Sequence, residues 1–256
     1  EGLKESPWPK LWVAHPGGHK DDFAAQNVIA TLQPGPEREA DALRLITDWL
    51  NKSWRARPVC CGILVGGESR RMGSPKALLP VGEQILAETL YDEARAVCCN
   101  VVFLGNRPEL AELTRTAPLL PDTHDAQGPL AGILSAMRWN PRAAWLFLAC
   151  DMPGMKADFI DWLVAQRRPG AWAIAPQLPG AKHAEPLATL YETQMRTTFE
   201  RLAASDHTAV REILESPKAT TVFPPSQFLP CLVNVNRAKD LRAFLLNHRP
   251  RSQSSN

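Results

Sequence analysis

A glycine pair, then two arginines and a lysine, follow one another along Gly66-Gly67-Glu68-Ser69-Arg70-Arg71-Met72-Gly73-Ser74-Pro75-Lys76. They come straight after an apolar run, Val59-Cys60-Cys61-Gly62-Ile63-Leu64-Val65, whose length reads as a buried strand. A glycine pair at the end of a strand lets the backbone turn tightly and approach a ligand. Exposed amide N–H groups in such a turn make an anion-binding concavity, and the basic side chains add charge where phosphates would sit. A phosphate-binding loop and an ordinary solvated basic turn both fit this stretch taken alone. A Walker loop does not, because Lys76 is not preceded by glycine. The second candidate is Asp151, just past the apolar run Trp145-Leu146-Phe147-Leu148-Ala149. A carboxylate there can hold a divalent metal or cap the next helix, and the spacing leaves both open. A metal bridging phosphate oxygens among basic groups is the apparatus of phosphoryl or nucleotidyl transfer, which works by positioning and charge stabilisation. No Gly-x-Ser-x-Gly elbow, His-Glu-x-x-His or Gly-x-Gly-x-x-Gly accompanies these residues.

The elements that must position these groups alternate regularly. Strands are predicted over 59–65, 101–104, 145–149 and 171–175, with helices over 85–97, 129–139 and 159–166 between them. That alternation means an α/β domain with a mostly parallel sheet. Ligands bind such sheets beyond the carboxyl ends of the strands. The rule picks out Gly66-Gly67, Gly105-Asn106-Arg107 and Asp151-Met152-Pro153. Further on, strands are predicted at 185–191, 220–223 and 231–236, and helices at 194–204, 208–214 and 237–246. The polar end, 249–256, is expected to be disordered.

With 45% hydrophobic and 22% charged residues, the composition is that of an ordinary soluble globular protein. A net charge of +2 gives no support for nucleic-acid or membrane binding through bulk electrostatics. No apolar run approaches the roughly 18 residues needed to span a bilayer. The start, Glu1-Gly2-Leu3-Lys4, has no signal-peptide pattern and no initiator Met, the mark of a processed chain or a fragment. A cytoplasmic protein is expected. Cys60-Cys61 and Cys98-Cys99 are adjacent pairs whose members point to opposite faces of a strand. Without a CxxC spacing, the six cysteines read as buried small apolar residues in a reducing cytosol. Residues 1–57 differ from the rest: prolines punctuate two short strands, 11–14 and 27–31, and a helix over 37–50. That is too little for an independent core, so this appendage either packs on the rest or ends a larger domain. His15, His19, Asp21 and Asp22 read as a polar loop rather than a metal site, and 52–58 as a linker.

The glycine loop, read as Leu64-Val65-Gly66-Gly67-x-Ser69-x-Arg71-Met72-Gly73-x-x-Lys76-x-Leu78-Leu79, resembles the signature of MobA-like nucleotidyltransferases. Asp122 followed by Gly128-Pro129-Leu130-Ala131-Gly132, then Cys150-Asp151-Met152-Pro153, then Asn234-Val235-Asn236, resemble the family's later motifs in the same order. The likeness covers about 58–248. It implies a Rossmann-like three-layer nucleotide-diphospho-sugar transferase fold and a molybdenum cofactor guanylyltransferase. The implied reaction joins GMP from Mg²⁺-GTP to the phosphate of molybdopterin and releases pyrophosphate. On that resemblance Leu64, Gly66 and Gly67 approach the nucleotide, and Arg71 and Lys76 neutralise its phosphates. Asn106 and Asp122 contact base and ribose, Asp151 holds Mg²⁺, and Asn234 and Asn236 line the metal and pterin side. The Gly66-Gly67 pair is the form typical of guanine users, whereas a cytidylyl-transferring subfamily resembles Leu-Ala-Ala-Gly at this point. Val65 replaces a common Ala, and Glu185-Pro186 stands where His-Pro is frequent, with His183 two positions earlier. Stretches of 1–57, among them Pro9-Lys10-Leu11 and Asn27-Val28-Ile29-Ala30, resemble the C-terminal part of MobB-like GTP-binding adaptors without their Walker loop. A MobB-like GTPase and molybdoenzyme apoproteins are the implied partners. The alternatives are a cytidylyl or sugar-phosphate nucleotidyltransferase, and a non-catalytic carrier of the cofactor.

Overall fold

The computed structural model describes residues 10–13, 28–32, 35–66, 75–106, 108–205, 209–235 and 237–247. The chain divides into two compact units, residues 1–56 and 57–256. In the first, β1 (Lys10–Val13) pairs in parallel with β2 (Val28–Leu32), and α1 (Arg38–Arg55) follows. The helix runs through most of the expected linker. Lys52 and Arg55 occupy its last turn, where the helix dipole favours cations, so the basic stretch prolongs the helix. The His15, His19, Asp21 and Asp22 group and the 249–256 tail lie outside the described residues.

The second unit begins with β3 (Val59–Leu64), a small hairpin of β4 (Pro80–Val81) and β5 (Gln84–Ile85), and α2 (Leu86–Arg95). Then come β6 (Asn100–Leu104), β7 (Leu119–Leu120), α3 (Pro129–Trp139), β8 (Ala144–Ala149) and α4 (Ala157–Ala165). It closes with β9 (Ala173–Pro176), β10 (Ala188–Tyr191), α5 (Arg196–Ala204), β11 (Ala219–Val222) and α6 (Ala238–Asn247). Seven strands form one sheet in the order β11-β9-β10-β8-β3-β6-β7. Pairing is parallel throughout except at β10, which runs antiparallel to both β8 and β9.

The central strands are buried on both faces, which is why they read as unbroken apolar runs. Successive side chains then serve different layers. Cys61, Ile63, Leu146 and Leu148 pack with Leu86 and Leu90 of α2 and Phe159 and Leu163 of α4. Cys60, Trp145 and Phe147 pack with Leu130 and Leu134 of α3 and Phe199 of α5. The result is three layers, helix–sheet–helix. The cysteine pairs obey the same alternation, and Cys60 Sγ lies 3.6 Å from Cys99 Sγ. Cys99 is exposed, against expectation, because it sits in the bend that leads into β6.

Two later elements differ from expectation. Residues 210–215 and 226–232 form tight 3-10 turns rather than an α-helix and a strand. The apolar residues of 231–235 resemble a strand, but Pro225 and Pro230 interrupt the segment and lack an N–H for ladder pairing. The Val235 N–H donates to the Asp151 carbonyl at 2.7 Å instead.

The start of the second unit hangs on a buried ion pair. Arg167 donates through Nε (2.7 Å) and Nη2 (3.1 Å) to the Glu192 carboxylate and through Nη1 to the Arg57 carbonyl at 3.0 Å. Their side chains are 1% and 0% exposed. Removing one partner strands the other charge, which costs about 3–5 kcal/mol. Arg57 Nη1, 4.0 Å from Glu192 Oε2, offsets part of that. Arg167→Met is therefore expected to lower unfolding free energy by about 3 kcal/mol, the lower end of that range, measured by urea denaturation. A loss within error would show the pair to be dispensable.

Candidate active site

The carboxyl ends of β3, β6 and β8 open onto a cleft of about 530 Å³, a usual size for a small-molecule site. Its walls include Leu64, Gly66, Lys76, Asp122, Gly128, Cys150, Asp151 and Leu187. Of the residues expected at a site, Leu64, Gly66, Lys76, Asp122 and Asp151 thus come together. Gly67, Arg71 and Asn236 lie outside the described residues.

Gly66 is held by backbone packing as much as by any need to turn. A Cβ there would lie 3.1 Å from the Gly105 Cα, and a Cβ on Gly105 would lie 2.8 Å from the Gly66 Cα. Only two facing glycines let the ends of β3 and β6 approach so closely. The same contact brings Asp122 in: its Oδ2 would be 3.6 Å from a Gly66 Cβ.

Asp151 leaves β8 and is not a helix cap. The cap position of α4 is Lys156, and the Ala157 N–H is received by Glu93 Oε2 at 2.8 Å. The Asp151 carboxylate is used unevenly. Oδ2 accepts from Lys76 Nζ at 3.2 Å, whereas Oδ1 is buried with no hydrogen-bond partner among the described residues. A buried acceptor left in that state costs free energy unless something fills it. Among the described residues no group of three or more His, Cys, Asp or Glu could hold a metal by itself. Mg²⁺ does not need one: it binds through one or two carboxylates, completes its shell with water and substrate phosphates, and so fits this site. Zinc, which takes three or four protein ligands, does not. Next to it, burial, and then the Asp151 charge, push the Cys150 thiol up to about 12. It stays protonated at neutral pH and is no nucleophile.

At the other end of the cleft stands Asp122. Its backbone N–H is received by Asn106 Oδ1 at 2.9 Å, so the Asn106 side chain orients Asp122. Ser135 Oγ donates to the Pro121 carbonyl at 2.7 Å, and Arg138 bonds Thr123 and Asp125, fixing the rest of that loop to α3. Pro129 opens α3 at the cleft wall, so the positive end of its dipole meets the site.

Comparison with known proteins shows the family. The profile of the MobA-like NTP transferase domain matches residues 61–222. The chain belongs to that family. A probable molybdenum cofactor guanylyltransferase of Rhodopirellula baltica is 34% identical over 197 residues, covering 73% of this chain and 92% of that protein. The molybdenum cofactor biosynthesis bifunctional protein of Synechocystis sp. is 29% identical over 180 residues, and there the match spans 70% of this chain but 51% of the relative. In fold, the chain is similar to the crystal structure of molybdopterin-guanine dinucleotide biosynthesis protein A from Archaeoglobus fulgidus. That likeness has a TM-score of 0.60 at 24% identity, covering 72% of this chain and 96% of the other. The chain is a nucleotidyltransferase of MobA-like type, with a mostly parallel three-layer α/β fold. Among the described residues no helix is long and apolar enough to cross a membrane.

Sequence reasoning missed Leu187, a cleft wall, and the packing of Gly105, which it had singled out, against Gly66. Gly105 carried a signal, a glycine at the end of a predicted strand. Leu187 carried none, because its place depends on where β10 inserts in the sheet.

Burial raises the Asp122 pKa above the ordinary 3.8. A carboxyl raised on folding binds its proton more tightly in the native state. Its favourable contribution is complete below the unfolded pKa and is lost as pH rises through the folded value. Asp122→Asn removes a charge that folding disfavours. The variant is expected to melt at a higher temperature than the parent at pH 7, with the gain gone below pH 3.8. Calorimetric scans across that range check it, and a gain that persists at low pH contradicts it.

Proposed function

We propose that the protein transfers GMP from GTP to the terminal phosphate of molybdopterin, forming molybdopterin guanine dinucleotide and pyrophosphate with Mg²⁺ as the metal. One observation carries the reading: the Asp151 carboxylate at the wall of the cleft, held by Lys76 on one oxygen and, among the described residues, without a hydrogen-bond partner on the other. In this scheme an oxygen of the molybdopterin phosphate attacks the α-phosphorus of GTP. A new P–O bond forms, the bond from the α-phosphorus to its bridging oxygen breaks, and pyrophosphate leaves. Lys76 and Arg71 neutralise the phosphates, with Lys76 close enough to Asp151 to pass from carboxylate to phosphate. Asp151 would hold Mg²⁺ through Oδ1, and the ion would supply stabilisation of the charge that develops on the phosphates.

Leu64, Gly66 and Gly67 are assigned to the nucleotide, with Asp122 on its base or ribose and Asn106 acting through Asp122. Asn234 and Asn236 are assigned to the acceptor side. The purine is favoured by the glycine pair, the form that the resemblance ties to guanine users. Molybdenum cofactor guanylyltransferases among the relatives support the same choice. A MobB-like GTP-binding protein and molybdoenzyme apoproteins are the partners, and the cytoplasm the compartment, that this role implies.

Pyrophosphate release with molybdopterin and either GTP or CTP tests the proposal. Turnover is expected with Mg²⁺-GTP, little with CTP, and none after chelation. Loss of a group that stabilises transition-state charge costs about 10²–10³ in kcat, and that loss is expected for Lys76→Ala and Asp151→Ala. Equal use of CTP, or full turnover by Asp151→Ala, refutes the assignment.

A further inference from the structure

The sheet order lays the site out in a row. The loop that carries Asp122 follows β7, at one edge of the sheet; Gly66 follows β3, and Asp151 follows β8. Beyond β8 comes β10, which is antiparallel, with Ala188 opposite Leu148. The residues just before β10 therefore stand beside those just after β8, and the Ala149 N–H donates to the Leu187 carbonyl at 3.0 Å. Asp151 thus has two flanks. One holds Gly66 and Asp122, the nucleotide side of the proposed reaction. The other is left for the acceptor, because the transferred phosphorus must lie between the two substrates.

Glu185 organises that second flank. Its backbone is fixed, the N–H donating to the Pro176 carbonyl at 2.8 Å and the carbonyl accepting from Thr189 Oγ. Its carboxylate joins two separate segments. Oε1 receives the Leu187 N–H at 3.2 Å, and Oε2 receives Asn234 Nδ2 at 3.2 Å. The Asn234 segment is tied in turn to the reaction centre, through Val235 N–H on the Asp151 carbonyl. It is also pressed against the loop after Asp151: a Cβ on Gly154 would lie 2.2 Å from the Pro230 carbonyl oxygen. A carboxylate only accepts hydrogen bonds. Facing Glu185, the Asn234 amide must therefore turn its NH₂ inward and leave Oδ1 to receive N–H groups of an acceptor.

We propose that Glu185 is the positioning residue of the acceptor subsite: by holding Leu187 and the Asn234 amide beside Asp151, it sets affinity for the phosphate-bearing pterin and leaves nucleotide affinity alone. This rests on the guanylyl-transfer reading. Steady-state kinetics with Mg²⁺-GTP and molybdopterin, each varied in turn, test it. Two hydrogen bonds to a charged group are lost in Glu185→Ala, so molybdopterin KM is expected to rise about tenfold or more. GTP KM and the stabilisation of the fold by GTP are expected to stay within about twofold of the parent's. Glu185→Gln keeps an acceptor for Leu187 N–H but lets either amide turn, so its molybdopterin KM should fall between the two. A molybdopterin KM unchanged in both variants overturns the proposal, as does a parallel rise in GTP KM. A parent protein inactive on molybdopterin overturns the guanylyl-transfer reading, and this inference with it.

Discussion

The cleft is arranged around a carboxylate of which one oxygen has no hydrogen-bond partner among the described residues. Asp151 sits at the end of a strand buried on both faces, so the protein brings its charge to the edge of a low-dielectric interior. Lys76 stabilises the charge without filling the coordination sphere of the second oxygen. An aspartate hydrogen-bonded through both oxygens would leave none for the hard cation that the proposed reaction would need. The backbone of the same residue is also in use, receiving Val235. One residue therefore links β8, the turn after the glycine loop and the C-terminal segment.

The sheet adds direction to that centre. Parallel strands β3, β6 and β8 present their carboxyl ends on one side, as doubly wound sheets do. The antiparallel β10 then supplies the opposite flank by its amino end rather than its carboxyl end. A sheet that stayed parallel would have offered the end of one more strand there. The reversal offers instead the loop 177–187, which carries both a cleft wall and a carboxylate.

Much of this was legible in the residues. The alternation of strand and helix, the glycines at strand ends and an aspartate after β8 all follow from local pattern, and the fold obeys them. What local pattern could not supply is who meets whom. Gly66 reads as a device for approaching ligand, yet its immediate neighbour is another glycine. Asn106 reads as a nucleotide contact, and its Oδ1 also receives the Asp122 backbone N–H. Glu185 stood out in the sequence only as a departure from a family pattern. Its partners come from a strand order that no spacing encodes. The apolar residues at 231–235 read as a strand because period and composition suit one. The prolines beside them, and the pull of Asp151 on Val235, decide otherwise.

The buried Arg167–Glu192 pair has a bearing on where the catalytic unit can be said to start. One of the Arg167 donors is satisfied by the main-chain carbonyl of Arg57, the first residue of the unit, ahead of β3. The boundary is thus written into the interior rather than into a surface loop. A shortened chain that opened at β3 would keep all seven strands of the large sheet while removing the carbonyl that receives Arg167 Nη1. A shortened form that begins at or before Arg57 keeps that acceptor for Arg167.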